Sequence, residues 1–293
     1  MTIIKSLSVG DGDTFYIRHN SNNFSIIDCN LTGDRDDEII AELKAQRRGN
    51  DITRFISTHP DQDHFEGIEK LDAELGILNF YVVKNKAKKD EETVSFKHYC
   101  KLRDDVDKAY YLYKGCRRKW MNNSDDERHA AGISVLWPDI SNAHFKTALN
   151  NCNDGKSFNN LSTALRYSLA SGATVMWLGD LETQFMKDIE NSIELEETTI
   201  LFAPHHGRNS GKVPNSWLDK LKPKVIVIGE APSRHLNYYN GYKTVTQNTA
   251  GDITMELVDN KVHIYSSKTN YSHGGLANEG ASTFPNYVGT VTA

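Results

Sequence analysis

Residues 56–67, Ile-Ser-Thr-His-Pro-Asp-Gln-Asp-His-Phe-Glu-Gly, place four metal-capable side chains within six positions: His59, Asp61, Asp63 and His64. The run follows directly on an apolar stretch, residues 52–58, that predicts a strand. Carboxylates and imidazoles buried without partners cost several kcal/mol each, so a set this dense at a strand end needs cations or solvent to satisfy it. A tight loop at that point sends His59 and Asp61 one way and Asp63 and His64 the other. That arrangement suits two adjacent cations.

Two further stretches end in the same manner. Asp180 closes the apolar run ATVMWLGD (173–180), and His205 and His206 close TTILFAP (198–204) ahead of Gly207. A Gly-Asp at a strand end is by itself an ordinary turn, and adjacent histidines are often a surface pair. The ordered set HxDxDH, GD and HHG, each closing an apolar strand, is a specific constellation. Short strands are also predicted at 3–9, 14–19, 24–29, 77–83, 133–137, 162–169 and 224–228, with a hairpin from 252–257 and 261–265. Residues 36–48 have helical spacing, with Ile39, Ile40 and Leu43 on one face. The turn-rich GDGD at 10–13 lacks the GxxxxGK[ST] pattern of a phosphate loop and leads into a strand, so it is assigned as a turn.

The 293 residues are 38% hydrophobic and 25% charged, the mixture of a folded globular chain. A mean hydropathy of −0.56 and the absence of a long apolar run predict no membrane span and no membrane partner. The N-terminus lacks a basic region leading into an apolar stretch, so no secretory signal is expected. The four cysteines form no CxxC pair, which argues against a disulfide or zinc-knuckle scaffold and for a reducing, cytoplasmic setting. The formal charge of −5 is unevenly spread: residues 84–128 carry 13 Lys/Arg and 9 Asp/Glu, a net of +4 that leaves −9 for the remainder. With its aromatics and the basic run Arg117, Arg118 and Lys119, this stretch is expected to be a helical insertion. It would be a solvated face, a nucleic-acid contact beside the cleft, or an interface for a protein partner. Residues 272–293, rich in Gly, Ser and Asn, are expected to be a loop or tail. One domain over 1–293 accounts for the pattern, and the oligomeric state is left open.

The motifs resemble those of metallo-β-lactamase-fold hydrolases, closest to the soluble domain of ComEC-type competence proteins. The matching pieces are VGDGDTFYIR (9–18), IIDC (26–29), ISTHPDQDHFEG (56–67), NNLSTALRY (159–167), WLGDLE (177–182) and FAPHHGRNSG (202–211). The resemblance implies an α/β fold, an αββα four-layer sandwich with a two-metal site at one edge of its sheets. It makes His59 and Asp61 ligands of a first ion, Asp63 and His64 ligands of a second, and Asp180 the bridge. One of His205 and His206 matches the last ligand. His206 is favoured, with His205 facing the substrate. Asp28 resembles the strand aspartate that braces the metal loop.

The chain also departs from the commoner pattern. Asp61 stands where HxHxDH has histidine, and NNLS occupies the place of a separate mid-chain histidine, so Asn160 or Ser162 would complete the first site directly or through water. This oxygen-rich set makes manganese competitive with zinc. Arg208 and Ser210 are candidates to hold a phosphate, and His235 to assist a leaving group. The expected activity is two-metal hydrolysis of phosphodiesters, with nucleic acid as substrate, Asp63 in the reaction and His205 or His235 aiding departure of the leaving oxygen. The alternatives are a hydrolase of a small ester, lactone or nucleotide, and a partner-dependent metal-binding module.

Overall fold

The computed structural model describes residues 1–50, 52–169 and 172–293. The first part of the chain runs β1 (Thr2–Ser6), β2 (Phe15–Arg18), β3 (Asn23–Ile27), β4 (Cys29–Asn30), α1 (Asp36–Arg47), β5 (Ile52–Ser57) and β6 (Phe65–Glu66). It continues through α2 (Ile68–Leu75), β7 (Phe80–Val82), α3 (Val94–Asp104), β8 (Ala109–Tyr111), β9 (Ile133–Trp137) and α4 (Ala143–Asn153). Then come β10 (Ala164–Ser168), β11 (Thr174–Trp177), α5 (Thr183–Asp188), β12 (Ile200–Phe202), α6 (Asn215–Leu221) and β13 (Val225–Ile228). The chain closes with β14 (Thr244–Thr246), α7 (Gln247–Ala250), β15 (Ile253–Val258), β16 (Lys261–Ser266) and β17 (Tyr287–Thr292).

Two large sheets result. The nine-stranded sheet has the order β17-β16-β15-β1-β2-β3-β5-β7-β8, and the six-stranded sheet β14-β13-β12-β11-β10-β9. Their inner faces meet through aromatic side chains: the Phe15 ring lies 4.8 Å from that of Phe202 and 6.3 Å from that of Trp177. On the outer side of the larger sheet, α1 buries Ile39, Ile40 and Leu43, and α2 buries Ile68, Leu71 and Leu75. Against the smaller sheet, Phe145 of α4 and Phe185 of α5 meet the Trp137 ring edge to face at 6.1 and 5.9 Å. The layers are therefore helix, sheet, sheet, helix, the α/β sandwich that the sequence predicts.

The strand pattern sets where a site can form. β3, β5, β7 and β8 pair in parallel, as do β11 to β14. Parallel strands covered on both faces are continuously apolar, as in Ile-Leu-Phe of β12 and Val-Ile-Val-Ile of β13. Their polar residues accumulate just past the C-terminal ends, all at one edge of the sheet. That is where open α/β sheets bind ligands.

The structure corrects four expectations. Residues 84–128 do not form a helical insertion. Only Val94–Asp104 is helical, and β8 extends the large sheet parallel to β7. Phe96 and Tyr99, expected as base-stacking candidates, are buried on α3, with Tyr99 4.9 Å from the Phe65 ring and 5.6 Å from that of Phe80. Burial of two such rings is worth roughly 1.5–3 kcal/mol each, which makes this helix part of the core. The basic run also lies elsewhere than expected. Arg118 stacks between the Tyr81 and Tyr110 rings at 4.9 and 4.7 Å and reaches Asn79, before the N-terminal end of β7. That end is opposite the edge where β5 delivers His59. In the tail, Tyr287–Thr292 is a strand paired with β16. Gly289 and the register shift between Ile264 and Tyr265 hide its alternation in the sequence.

Asp252, at the start of β15, ties the sheet to the N-terminal region. It accepts from Arg35 at 2.9 and 3.0 Å and from the Ser8 N–H at 2.9 Å, with Lys5 at 3.6 Å. Burial works to raise its pKa, but Arg35, the Ser8 N–H and Lys5 outweigh it and hold the carboxyl below the ordinary range. A depressed pKa means stabilisation present above about pH 4 and lost as pH falls through the folded-state value. Asp252→Asn should therefore cost about 2–3 kcal/mol at pH 7. Urea titrations should show that deficit shrinking markedly by pH 3, and an equal deficit at both pH values would contradict it.

Candidate metal centre

Three strand ends and the loop after β1 supply the centre. After β5, Asp61 accepts the Gln62 N–H at 2.8 Å and starts a single helical turn, Gln62–His64, that turns His64 inward. After β11, Gly179 sits at φ +52°, and a Cβ there would stand 2.7 Å from Ser162 Oγ, so glycine is required. The same Ser162 Oγ accepts the Asp180 N–H at 2.8 Å and fixes that aspartate. After β12, His205 and His206 both have φ 54°, followed by Gly207 at φ 85°. Left-handed backbone at a residue bearing a Cβ costs on the order of 1–3 kcal/mol, and it persists where the surroundings over-determine it. Here the His205 N–H is bound to the Gly179 carbonyl at 3.0 Å, which couples the second strand end to the third.

Ligand atoms of Asp13, His64, Asp180 and His206 lie within 4.8 Å of one another. His64 Nε2 is 3.2 Å from Asp180 Oδ1, His206 Nδ1 is 3.2 Å from Asp13 Oδ1, and His206 Nε2 is 3.7 Å from Asp180 Oδ2. Asp63, with a third of its side chain exposed, reaches His206 Nε2 at 3.3 Å and lies at the mouth of the group. His64 Nε2, His206 Nδ1, Asp180 Oδ1 and His59 Nε2 are all buried without a well-formed hydrogen bond. Converging buried donors of this kind, nitrogen and oxygen together, fit a divalent cation.

The electrostatics favour positive charge at this point. Burial opposes protonation of His64, but Asp180 and Asp28 outweigh it and raise its pKa well above the usual range. His206 is lifted to about 10 against its burial, mainly by Asp13 and Asp180. Burial works to raise the Asp180 and Asp63 pKa values, yet the surrounding imidazoles hold both carboxyls below the ordinary range. His59 differs. Burial and the neighbouring His64 charge lower it to about 4, although Asp180 pulls the other way.

Asp28 sits behind the centre, fully buried and itself at φ 54°. It accepts from the Thr58 N–H at 2.7 Å and the Thr58 hydroxyl at 2.5 Å, and lies 2.8 Å from His64 Nδ1. The contact leaves Nε2 of His64 facing Asp180 and keeps the ring from turning.

The other predicted residues divide between the centre and its supports. His59 is buried against His64, with ring centroids 4.1 Å apart, and its Nε2 is 3.9 Å from Asp180 Oδ2. Asp61 is paired with Lys89 at 3.0 Å and is not one of the four residues whose ligand atoms converge. Asn160 exchanges two hydrogen bonds with Glu182, and Ser162 holds Asp180, so both brace the centre from behind. His205 has Ser210 Oγ on its Nδ1 at 2.8 Å and Asp180 3.7 Å from its Nε2. Arg208 pairs with Asp11 at 3.0 Å on the rim. His235 accepts from Arg234 at 3.0 Å and stacks on Tyr238 at 5.4 Å. Asp13 escaped the sequence reading. Composition reads GDGD as a turn, and the signals for Asp13 are its place in the VGDGDTFYIR stretch and its contact with the HHG loop.

No family model matches the chain, and no curated protein matches it in sequence. Among solved structures, it is similar to Igni18, a metallo hydrolase from the archaeon Ignicoccus hospitalis, at 15% identity with TM-score 0.49, covering 87% of this chain and 100% of that one. A HARLDQ-motif mutant of a metallo-β-lactamase from Cronobacter sakazakii is similar at 15% identity with TM-score 0.38, over 73% of this chain and 86% of that one. A long-form RNase Z from yeast follows at 8% identity with TM-score 0.39, over 83% of this chain and 40% of that one.

A cation seated at this centre stabilises the folded chain by mass action, about 2.7 kcal/mol at a hundred times its Kd. Differential scanning fluorimetry should therefore show a rise in Tm on adding manganese or zinc. Asp180→Asn should remove most of that rise, while an undiminished shift in the variant would show the ion binding elsewhere.

Proposed function

We propose that the chain is a divalent-metal-dependent hydrolase of phosphodiesters, acting on nucleic acid. The observation that carries this reading is the convergence of the buried His64 Nε2, Asp180 Oδ1 and His206 Nδ1, from three strand ends, with the Asp13 carboxylate from the loop after β1. Asp13, His64, Asp180 and His206 would hold the metal, with Asp63 at the open side. A mixed nitrogen and oxygen set of this kind accepts manganese as well as zinc. Bound there, a divalent ion polarises a phosphoryl oxygen and lowers the pKa of water.

The protein's own side chains supply the rest. His205 has a lowered pKa, chiefly through burial, so its ring is neutral near pH 7. Ser210 on Nδ1 orients the ring and leaves Nε2 on the Asp180 side, able to exchange a proton with the leaving oxygen. Asp63, one third exposed and held ionised against its burial by His206 and His64, is suited to orient an attacking water.

Support for a nucleic-acid substrate comes from a pocket of about 600 Å³ past the C-terminal end of β7, the sheet edge that also carries His59. Tyr111, Tyr113 and Ile140 form apolar walls, and Lys84, Lys86 and Lys146 line it as well. An aromatic wall with ammonium groups suits a base and its phosphate, each stacked base being worth about 1–3 kcal/mol.

The direct test is turnover by the purified chain, with manganese or zinc, on bis(p-nitrophenyl) phosphate, single-stranded and duplex DNA, and RNA. Asp63→Ala should lower the rate at least a hundredfold while circular dichroism stays native, and unchanged turnover would overturn the reading. Silence on every phosphodiester would favour the small-ester or partner-dependent alternatives. A combined Lys84→Glu, Lys86→Glu, Lys146→Glu variant should lose cleavage of nucleic acid at least tenfold more than cleavage of the small diester. Its rate should also fall less steeply with salt, because fewer counterions are released. Equal loss on both substrates would contradict the pocket's role.

A further inference from the structure

The residues that the motif HxDxDH offers to a first ion do not converge as those of the second do. Asp61 Oδ1 is engaged by the Gln62 N–H at 2.8 Å and by Lys89 Nζ at 3.0 Å. The side-chain amide of Asn160 is committed to Glu182 at 2.7 and 3.1 Å, and Ser162 Oγ to the Asp180 N–H. That leaves His59 Nε2 with the shared Asp180 carboxylate at 3.9 Å, one ligand short of the three protein groups that a divalent site takes. The Lys89 ammonium is held in place from several sides. It lies 4.5 Å from the Phe158 ring centroid, 5.5 Å from Phe65 and 5.8 Å from Phe96, and its side chain is only 14% exposed. A cation set among aromatic faces and paired with a carboxylate gives up that position reluctantly.

We propose that the chain binds a single divalent ion, at Asp13, His64, Asp180 and His206, and that Lys89 keeps Asp61 out of the centre as the counter-ion that a second metal would otherwise be. This rests on the reading of that cluster as the metal centre, and the experiment separates the two. Manganese and zinc are titrated into metal-free protein by isothermal calorimetry, and bound metal is counted by elemental analysis after gel filtration.

The wild-type chain binds one ion. Asp61→Asn, which cannot neutralise a metal but keeps the turn's acceptor, still binds one ion, with Kd changed less than threefold. His206→Ala binds none, with the native fold checked by circular dichroism. Two ions in the wild type, or an ion lost in Asp61→Asn, would overturn the single-ion proposal while leaving the centre intact. No ion in any form, or an ion retained undiminished in His206→Ala, would overturn the centre itself and this inference with it.

Discussion

The buried carboxylate of Asp28 holds the edge that carries the cluster together. It stands where β3 ends, in a left-handed conformation, and its three hydrogen-bonding contacts all go to the end of β5: two to Thr58 and one to His64. Burial alone would push its pKa up, as it does on balance despite the His64 charge and the Thr58 donors. A buried acid so placed is tolerable only while those donors remain in position. The constraint therefore works in both directions. The β3–β5 register fixes Asp28 against Thr58, and Asp28 fixes the face that His64 turns toward Asp180.

The rest of the centre follows from the same economy of strand ends. Parallel pairing within each sheet brings the loops after β5, β11 and β12 to one edge, and the packing of Phe15 against Phe202 and Trp177 brings the two sheets face to face. Small residues close the gaps between loops: Gly179 lets the Asp180 turn lie on Ser162, and Gly207 follows the two left-handed histidines. The strain at His205 and His206 is concentrated where the chain presents imidazoles, and the His205 bond to the Gly179 carbonyl holds it there. Relaxing either histidine would withdraw its ring from Asp180, so strain and site geometry are the same feature.

Much of this was legible in the sequence. Apolar runs ending in HxDxDH, GD and HHG marked the three strand ends, because buried parallel strands have an unmistakable composition and their polar termini stand out. The same reading missed Asp13, since a GDGD turn has no periodicity and its contact with His206 spans most of the chain. Lys89 was hidden among the charges of 84–128, where net charge says nothing about which ammonium is buried. The aromatics there looked like a binding surface by composition. Phe96 and Tyr99 proved to be core, because a helix buries one side of its residues whatever the charge of the other. β17 was lost to its Gly, Ser and Asn-rich approach and a register shift, both of which erase the period-two signal.

The pairing of Lys89 with Asp61 bears on how a HxDxDH loop can differ from HxHxDH. Histidine in the middle position is neutral as a ligand and needs no counter-charge when it turns away. Aspartate in that position adds a carboxylate beside a centre whose imidazoles are already engaged by Asp13, Asp63 and Asp180, so it needs a counter-charge of its own. It must meet either a metal ion or a fixed cation. The lysine supplies that charge at 3.0 Å, so Asp61 is balanced without drawing on the imidazoles of the cluster. Its aromatic surroundings keep that charge local, and the Gln62 N–H holds the carboxylate in the turn that points His64 inward. The charge of Asp61 is thereby balanced within the loop's own fold, apart from the convergence of Asp180 and His206.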